Sequence, residues 1–496
     1  MTTLYVWQQA NLTEAVKDLN PHWHGKFTTT ATRIITDTRK IEPGDIFLAI
    51  KGDNFDGHDY VQTAYDKGAV AAIVSRQTEC EVPQLMVDDT KLALGKLGGY
   101  RRDQHPDLRV VAITGSSGKT TAKEMLGSIL NQLAPTLITR GNLNNDLGVP
   151  MMLLELTDEH RFAVMELGAN HVGEIAYTTQ LVKPDVACIL NIGTAHLGEF
   201  GGRDNIAKTK AEIYQGLTEQ GVAIVPFGDD YFDVLAEQAQ QFTKNILTFG
   251  EQSTTFAQAG VDPVDYEGME MGADDRVLLM GDVFADDIEV GTESQFSLNV
   301  NLAVDEIDSV DITLPFAGEH NISNALAAAA CALALGVSIQ DIANGLENAK
   351  PAKGRLNFIS MGEHTLIDDT YNANPPAVLA GVTVLNGQPS RHMVVLGDIG
   401  ELGDQAVNEH AKLGHDIAAI GVDKLFAVGE LMYHTVASAT QQGIDATHFA
   451  DKNRLADAIA DTLNQSDEPW TILFKGSRFM GMETVLQALL AKSATH

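Results

Sequence analysis

Lys119 and Thr120 close a run of small residues, Gly115-Ser116-Ser117-Gly118-Lys119-Thr120-Thr121. Glycines in such a loop let successive backbone N–H groups point at one anion, and a helix starting there adds its dipole. The Lys119 amine would reach the outer phosphates of a nucleotide, and the Thr120 hydroxyl suits Mg²⁺. The flanks agree. Val110–Ile113 form an apolar strand pattern, and Ala122–Leu130 carry apolar residues at helical spacing. The usual phosphate loop has a further glycine where this chain has Ile113, so the match is shortened. A plain Gly-Ser turn between two elements is the competing reading.

Two more chemical groups stand at strand ends. Phe162–Gly168 and Val186–Gly193 read as buried strands, with Glu166 at the end of one and His196 just beyond the other. In a parallel sheet, ligands bind outside the carboxyl ends of the strands. Three such ends bearing Lys/Thr, Glu and His point to a metal–nucleotide site. Lys210 is an anomaly on the helix expected over Asn205–Leu217. It shares a stripe with Ile206, Ile213, Tyr214 and Leu217, whereas Lys208 points away. Its amine either snorkels out to solvent or is held near an active site with a lowered pKa.

The elements that must position these groups sort into three units. Up to about residue 107, strands at Asp45–Ile50 and Val70–Val74 flank a helix at Val61–Lys67. The polar stretches around Asp37-Thr38-Arg39 and Asp56-Gly57-His58 are surface loops or ligand loops, and both readings stay open. Residues 108–351 hold the phosphate loop, an amide-rich Asn142–Asp146 segment and an acidic stretch near 251–311. Phe296–Leu302 alternate there as antiparallel strands do. The polar cluster Gly318-Glu319-His320-Asn321-Ile322-Ser323-Asn324 at an alanine-rich helix reads as a helix cap or a base-binding site, and the cap is the favoured reading. From 352 to 496, strand patterns at Thr365–Asp368, His392–Leu396, Lys424–Val428 and Thr471–Phe474 alternate with amphipathic helices. The fold class is therefore α/β in three domains. A small N-terminal α/β domain precedes a central P-loop domain, with a mostly parallel sheet and an antiparallel β addition. A C-terminal Rossmann-like domain follows.

The totals narrow the classes. With 44% hydrophobic residues over 496 positions, the chain has ample core. Its 34 Lys+Arg against 67 Asp+Glu leave a net charge of −33, which argues against nucleic acid or an anionic membrane as main partner. Cys80, Cys188 and Cys331 form no metal-type spacing and read as reduced thiols, which fits the cytoplasm. No signal peptide is evident, and the longest apolar stretch, Ala325–Val337, is too short to span a bilayer.

TGSSGKTT, MELG, NIGTAHL, IAKTKAEI, GEHNISNALAA, GRL and DDTYNANP, in that order, resemble the Mur ligases of bacterial cell-wall synthesis. DTRKIEPGDIFLAIKGDNFDGHDYV, YNANP and LGDIGELG are similar to the branch that adds a dipeptide. The resemblance spans nearly the whole chain. It departs in a longer acidic stretch near 270–295, and in Val225-Pro226 where the family commonly has an asparagine. It implies ATP-dependent amide bond formation through an acyl phosphate. The substrates would be UDP-N-acetylmuramoyl-tripeptide and D-alanyl-D-alanine, and the enzyme a cytoplasmic monomer with no nucleic-acid partner and no membrane insertion.

By the same resemblance, Gly115–Thr121 hold ATP, and two Mg²⁺ ions use Thr120, Glu166, His196 and Lys210, the last carbamylated by CO₂. Asn321 and Asn324 lie on the adenine side, and Arg355 and Asp369 approach the γ-phosphate and ribose. The catalytic set is then Lys119, Glu166, His196, Lys210 and Arg355. Asp37, Thr38, Arg39, Asp56, Gly57 and His58 would contact the UDP-sugar peptide, and Asn372 and Asn374 the dipeptide. Rival readings are a family ligase adding a different amino acid or acting on folate, a P-loop ATPase switch, and a non-catalytic nucleotide-binding scaffold.

Overall fold

The computed structural model describes residues 4–52, 55–194, 200–255, 276–303 and 306–493. Expectations that fall on His196, and on residues 256–275 of the acidic stretch, lie outside the described residues.

Each of the three units is built on its own sheet. The first runs His22–His24, Gln84–Met86, Ala71–Val74, Ile46–Leu48, Ile34–Ile35 in spatial order, parallel except for its His22–His24 edge. The helix Thr90–Asp103 packs beside it, capped by Asp89, whose carboxylate accepts the N–H groups of Lys91 and Leu92.

The second sheet has nine strands among the described residues. Its parallel centre is Asn245–Phe249, Val222–Pro226, Val186–Ile189, Arg109–Thr114, Phe162–Glu166 and Thr136–Ile138, in that spatial order. Alternation along Arg109–Thr114 feeds two cores. Val111 and Ile113 join the layer under the alanine-rich helix, while Val110 and Ala112 join the layer holding Ile206 and Ala211. The antiparallel addition is not peripheral. Val283–Val290, Ser294–Ala303 and Glu306–Leu314 extend the same sheet, and Phe296 and Leu298 enter the first of those cores.

The third sheet runs Asn357–Met361, His364–Asp369, Trp470–Lys475, Arg391–Gly397, Lys424–Val428, Asp445–Phe449. All pairs but the first are parallel. The last strand in sequence, Trp470–Lys475, is inserted between the second and third. The strand order therefore reverses between Arg391–Gly397 and Trp470–Lys475, where a doubly wound sheet opens its ligand crevice.

Two local expectations change. The helix expected over 205–217 is α-helical only at Arg203–Ala211 and tightens to 3₁₀ over Glu212–Gly216. There the Glu212 carboxylate accepts the N–H groups of Gly173 and Ala176, at the start of the neighbouring helix Glu174–Val182. The stripe nonetheless stays inward: Ile206, Lys210, Ile213, Tyr214 and Leu217 are all buried, and Lys208 is exposed. No side chain of the polar cluster caps the alanine-rich helix Glu319–Ala334. Gly318, at φ +92°, holds the cap position without a side-chain bond. Among the described residues, no helix is long and apolar enough to cross a membrane.

Candidate active site

The loop Gly115–Thr121 leaves the carboxyl end of the central strand Arg109–Thr114 and enters the helix Lys119–Asn131. Gly118 sits in the left-handed region at φ +80°, and a Cβ there would come within 2.1 Å of Asn324 Oδ1. A residue the sequence reading left out staples the loop. Asn191 Oδ1 accepts the Ser117 N–H at 3.0 Å, and Asn191 Nδ2 donates to the Ser117 carbonyl at 3.2 Å. Ser116 Oγ accepts the Gly193 N–H at 2.8 Å. Asn191 lies just beyond the strand Val186–Ile189 and opens the NIGTAHL motif, the two signals the sequence carried for it.

Lys119 Nζ folds back onto its own loop, donating to the Gly115 carbonyl at 2.7 Å. Burial pulls its pKa down from the usual lysine range. Thr120 Oγ1 donates to Glu166 Oε2 at 3.2 Å. Glu166 is buried and doubly held: Asn144 Nδ2 donates to its other oxygen at 2.8 Å, and Thr139 Oγ1 accepts its N–H at 2.9 Å. Thr121 is buried on the helix side of the loop. Arg355, from the third unit, crosses to the second and donates from Nη2 to Thr120 Oγ1 at 3.2 Å.

Lys210 is 4% exposed. Burial first, and the Lys119 charge second, hold its pKa well below the usual lysine range. The amine thus lies within electrostatic reach of the phosphate loop and does not snorkel away. Among the described residues, no group of three or more His, Cys, Asp or Glu side chains is placed to hold a metal ion. What does stand together is a hydroxyl and a carboxylate, Thr120 and Glu166, both hard oxygen donors of the kind Mg²⁺ takes.

The remaining expected residues are more occupied with one another. Asn324 Nδ2 donates to Asn321 Oδ1 at 3.1 Å, and Asn321 Nδ2 to the Ala317 carbonyl at 2.8 Å. Asp369 is buried against Lys475, Nζ to Oδ2 at 2.5 Å, and burial raises the carboxyl pKa while lowering that of the amine. Asn374 Oδ1 caps the helix Pro375–Asn386 through the Ala377 N–H. Asn372 Oδ1 accepts the Arg478 N–H at 3.2 Å.

In the first unit, Asp37 is paired with Arg39 at 2.8 Å, which holds its pKa down to about 2, and the Thr38 carbonyl accepts from Lys67. Gly57 packs so closely that a Cβ would meet the Ile50 carbonyl at 2.6 Å. His58 Nε2 accepts the Ser75 N–H at 2.9 Å, while its Nδ1 meets Asp56 at 2.5 Å. Ser75, held by His58, joins Lys51, Asp88, Thr90 and Lys91 among the residues lining a cavity of about 380 Å³ at the carboxyl ends of the parallel strands. A second cavity, of about 510 Å³, lies beside the phosphate loop and includes Asn191, Asp229, Phe249 and Ser323.

Comparison with known proteins decides the family. Profiles described as the Mur ligase family catalytic domain, the Mur ligase middle domain, and the Mur ligase glutamate ligase domain match residues 30–102, 113–332 and 354–478. The chain belongs to the Mur ligase family.

This Mur ligase is 41% identical over 462 residues to the UDP-N-acetylmuramoyl-tripeptide–D-alanyl-D-alanine ligase of Escherichia coli (strain K12), covering 93% of this chain and 94% of that protein. A crystal structure of MurF from Acinetobacter baumannii matches it with a TM-score of 0.87 at 48% identity, covering 98% and 99% of the two chains. MurF from Thermotoga maritima, solved in complex with ADP, matches with a TM-score of 0.74 at 26% identity, covering 93% and 98%. Within the family, this Mur ligase draws its P-loop, Glu166 and Lys210 from the second unit and Arg355 from the third. The chain is an ATP-dependent amide ligase of this family.

Proposed function

We propose that this enzyme joins the amine of D-alanyl-D-alanine to the terminal carboxylate of UDP-N-acetylmuramoyl-tripeptide, with ATP, in cytoplasmic peptidoglycan precursor synthesis. The observation that carries the reading is the meeting at Thr120 of the Glu166 carboxylate and the Arg355 guanidinium, from two different units. The near full-length likeness to ligases bearing that name supplies the substrates.

A carboxylate repels amines, so it must first become a better electrophile. Transfer of the ATP γ-phosphoryl group makes an acyl phosphate, which the amine attacks as phosphate leaves. Such a reaction needs positioning and charge neutralisation more than covalent help. The backbone N–H groups of Gly115–Thr121 would cradle the β- and γ-phosphates. Lys119 would exchange the Gly115 carbonyl for phosphate oxygens. Thr120 and Glu166 would hold one Mg²⁺, which supplies positive charge to the phosphate oxygens. Arg355 would leave the Thr120 hydroxyl and face the γ-phosphate. Asn321 and Asn324 would face the adenine, and Asp369 the ribose.

Lys210 and His196 would serve a second Mg²⁺ near the acceptor carboxylate. The lowered pKa of Lys210 supports this, because only a neutral amine adds CO₂ to become a carbamate. The work divides as 1–107 for the UDP-sugar peptide, 108–351 for ATP and 352–496 for the dipeptide, in a monomer. Lys51 and Lys91 at the 380 Å³ cavity supply the cations that a nucleotide diphosphate needs. Asp37, Thr38, Arg39, Asp56, Gly57 and His58 would shape that region, and Asn372 and Asn374 the dipeptide side.

Phosphate release tests the reading. It should require UDP-muramoyl-tripeptide and rise sharply when D-alanyl-D-alanine is added. Release that proceeds at the same rate without either substrate overturns the assignment in favour of an ATPase switch.

A further inference from the structure

Two guanidinium groups approach the Tyr371 ring. Arg355 Cζ is 4.4 Å from its centroid and Arg478 Cζ is 5.9 Å from it. Arg355 is committed to the phosphate end through Thr120. Arg478 is not. Its side chain is 61% exposed, and among the described residues its guanidinium donates only from Nη1, to Glu483 at 2.9 Å. Its backbone is fixed by the bond from its N–H to Asn372 Oδ1. It follows directly on Lys475-Gly476-Ser477, at the carboxyl end of the strand that marks the order reversal of the third sheet.

The neighbouring cation is already spent. Lys475 is buried and bonded to Asp369 and to the Asn372 carbonyl. Arg478 is bonded through one guanidinium nitrogen to Glu483 and is 61% exposed, so it can still meet an incoming anion. Beside it, Phe479 is 69% exposed and lies over Gly400, where a Cβ would come within 3.0 Å of the ring. An apolar face over a glycine floor suits small side chains.

We propose that Arg478 binds the free terminal carboxylate of the amine substrate. The inference rests on the ligase reading above and adds the group that selects the second substrate. A dipeptide with two methyl side chains has little apolar surface to grip, so its carboxylate is the strongest handle it carries. Two extended residues span about 7 Å. Both guanidinium groups stand within 6 Å of one ring, Arg355 at 4.4 Å and Arg478 at 5.9 Å from its centroid, so a ligand of that length reacting beside Arg355 has Arg478 in its neighbourhood. In a chain of net charge −33, an exposed arginine here also offsets the repulsion that an anionic dipeptide would meet.

The test compares D-alanyl-D-alanine with D-alanyl-D-alaninamide, which lacks the negative charge, in steady-state kinetics of the full chain. The unaltered enzyme should prefer the acid in KM. Arg478→Ala should raise KM for the acid about 10- to 100-fold, with kcat and the KM for ATP little changed and the amide unaffected. Arg478→Lys should recover part of the preference. Glu483→Gln, which breaks the ion pair but keeps the arginine, should retain it.

Equal losses for acid and amide in Arg478→Ala overturn the proposal. So does a Glu483→Gln variant that behaves like Arg478→Ala, since the arginine would then be structural. An unaltered enzyme that ligates acid and amide equally well also overturns it. An unaltered enzyme that ligates neither defeats the ligase reading itself.

Discussion

The Arg355 guanidinium stands 3.2 Å from the Thr120 hydroxyl, and the two residues belong to different units. The same hydroxyl donates to Glu166. A hydroxyl proposed as a metal ligand therefore already bridges two units, and nucleotide binding must reorganise that bridge. Closure of the third unit onto the second is thereby tied to the phosphate site.

Arg355→Ala should lower kcat by about 10²- to 10³-fold, in line with loss of a positioned donor to a transferring phosphoryl group. The KM for ATP should move far less, because Gly115–Thr121 remain. Steady-state kinetics of phosphate release checks both numbers. A proportional rise in the KM for ATP with unchanged kcat would mean that Arg355 only helps to hold the nucleotide.

Glu166→Gln keeps the bond to Thr120 in reach but removes the charge. The Mg²⁺ concentration needed for half-maximal activity should rise by at least about 10-fold. Titration of Mg²⁺ at saturating ATP measures it. The fold should survive, because Thr139 and Asn144 contact the backbone N–H and one oxygen, and an amide still serves both.

Lys210→Met should abolish activity yet raise stability at neutral pH. Burial lowers the pKa of this amine in the folded state, so the unfolded chain binds the proton more tightly. The resulting destabilisation is full below the folded value. It is gone above the ordinary lysine pKa of about 10.4. Stability of the unaltered protein should therefore climb with pH across that window, and the variant should lose that climb. The gain in melting temperature should be roughly 2–4 °C for each kcal/mol relieved. Thermal melts between neutral and alkaline pH, run without CO₂, check the sign.

Lys475→Met leaves Asp369 buried without its partner. The cost should be about 3–5 kcal/mol, the usual size for one charge stranded in a protein interior. Adding Asp369→Asn should recover much of it. Trp470 begins the same strand as Lys475 and is the only tryptophan of the third unit, so its fluorescence in urea follows this transition. Loss confined to the signals of Trp7 and Trp23 would contradict the assignment of the ion pair to third-unit stability.

Much of the site was legible from local pattern. The phosphate loop follows its strand, Glu166 ends the adjacent one, and Lys210 faces inward as its spacing requires. Those features depend on periodicity and on neighbours within a few residues. The 3₁₀ turn at Glu212–Gly216 was not legible, because its cause is a carboxylate reaching the start of another helix. Nor was the role of His58. Its ring joins Asp56, two residues away, to Ser75, seventeen away, and so supports a cavity wall in place of lining it.

By itself, the sequence determined the three α/β units, the anion-binding loop, the family and the ATP-dependent chemistry, since each is written in spacing along one stretch. The tertiary structure alone decided which groups meet: Thr120 with Arg355, Asn191 with Ser117, Asp369 with Lys475, and Tyr371 with two arginines. Such pairs leave no periodic trace. Residues from 16 to 235 positions apart are brought together by strand order in the sheets and by the packing of one unit on the next, and a buried charge settles against whichever partner that packing supplies.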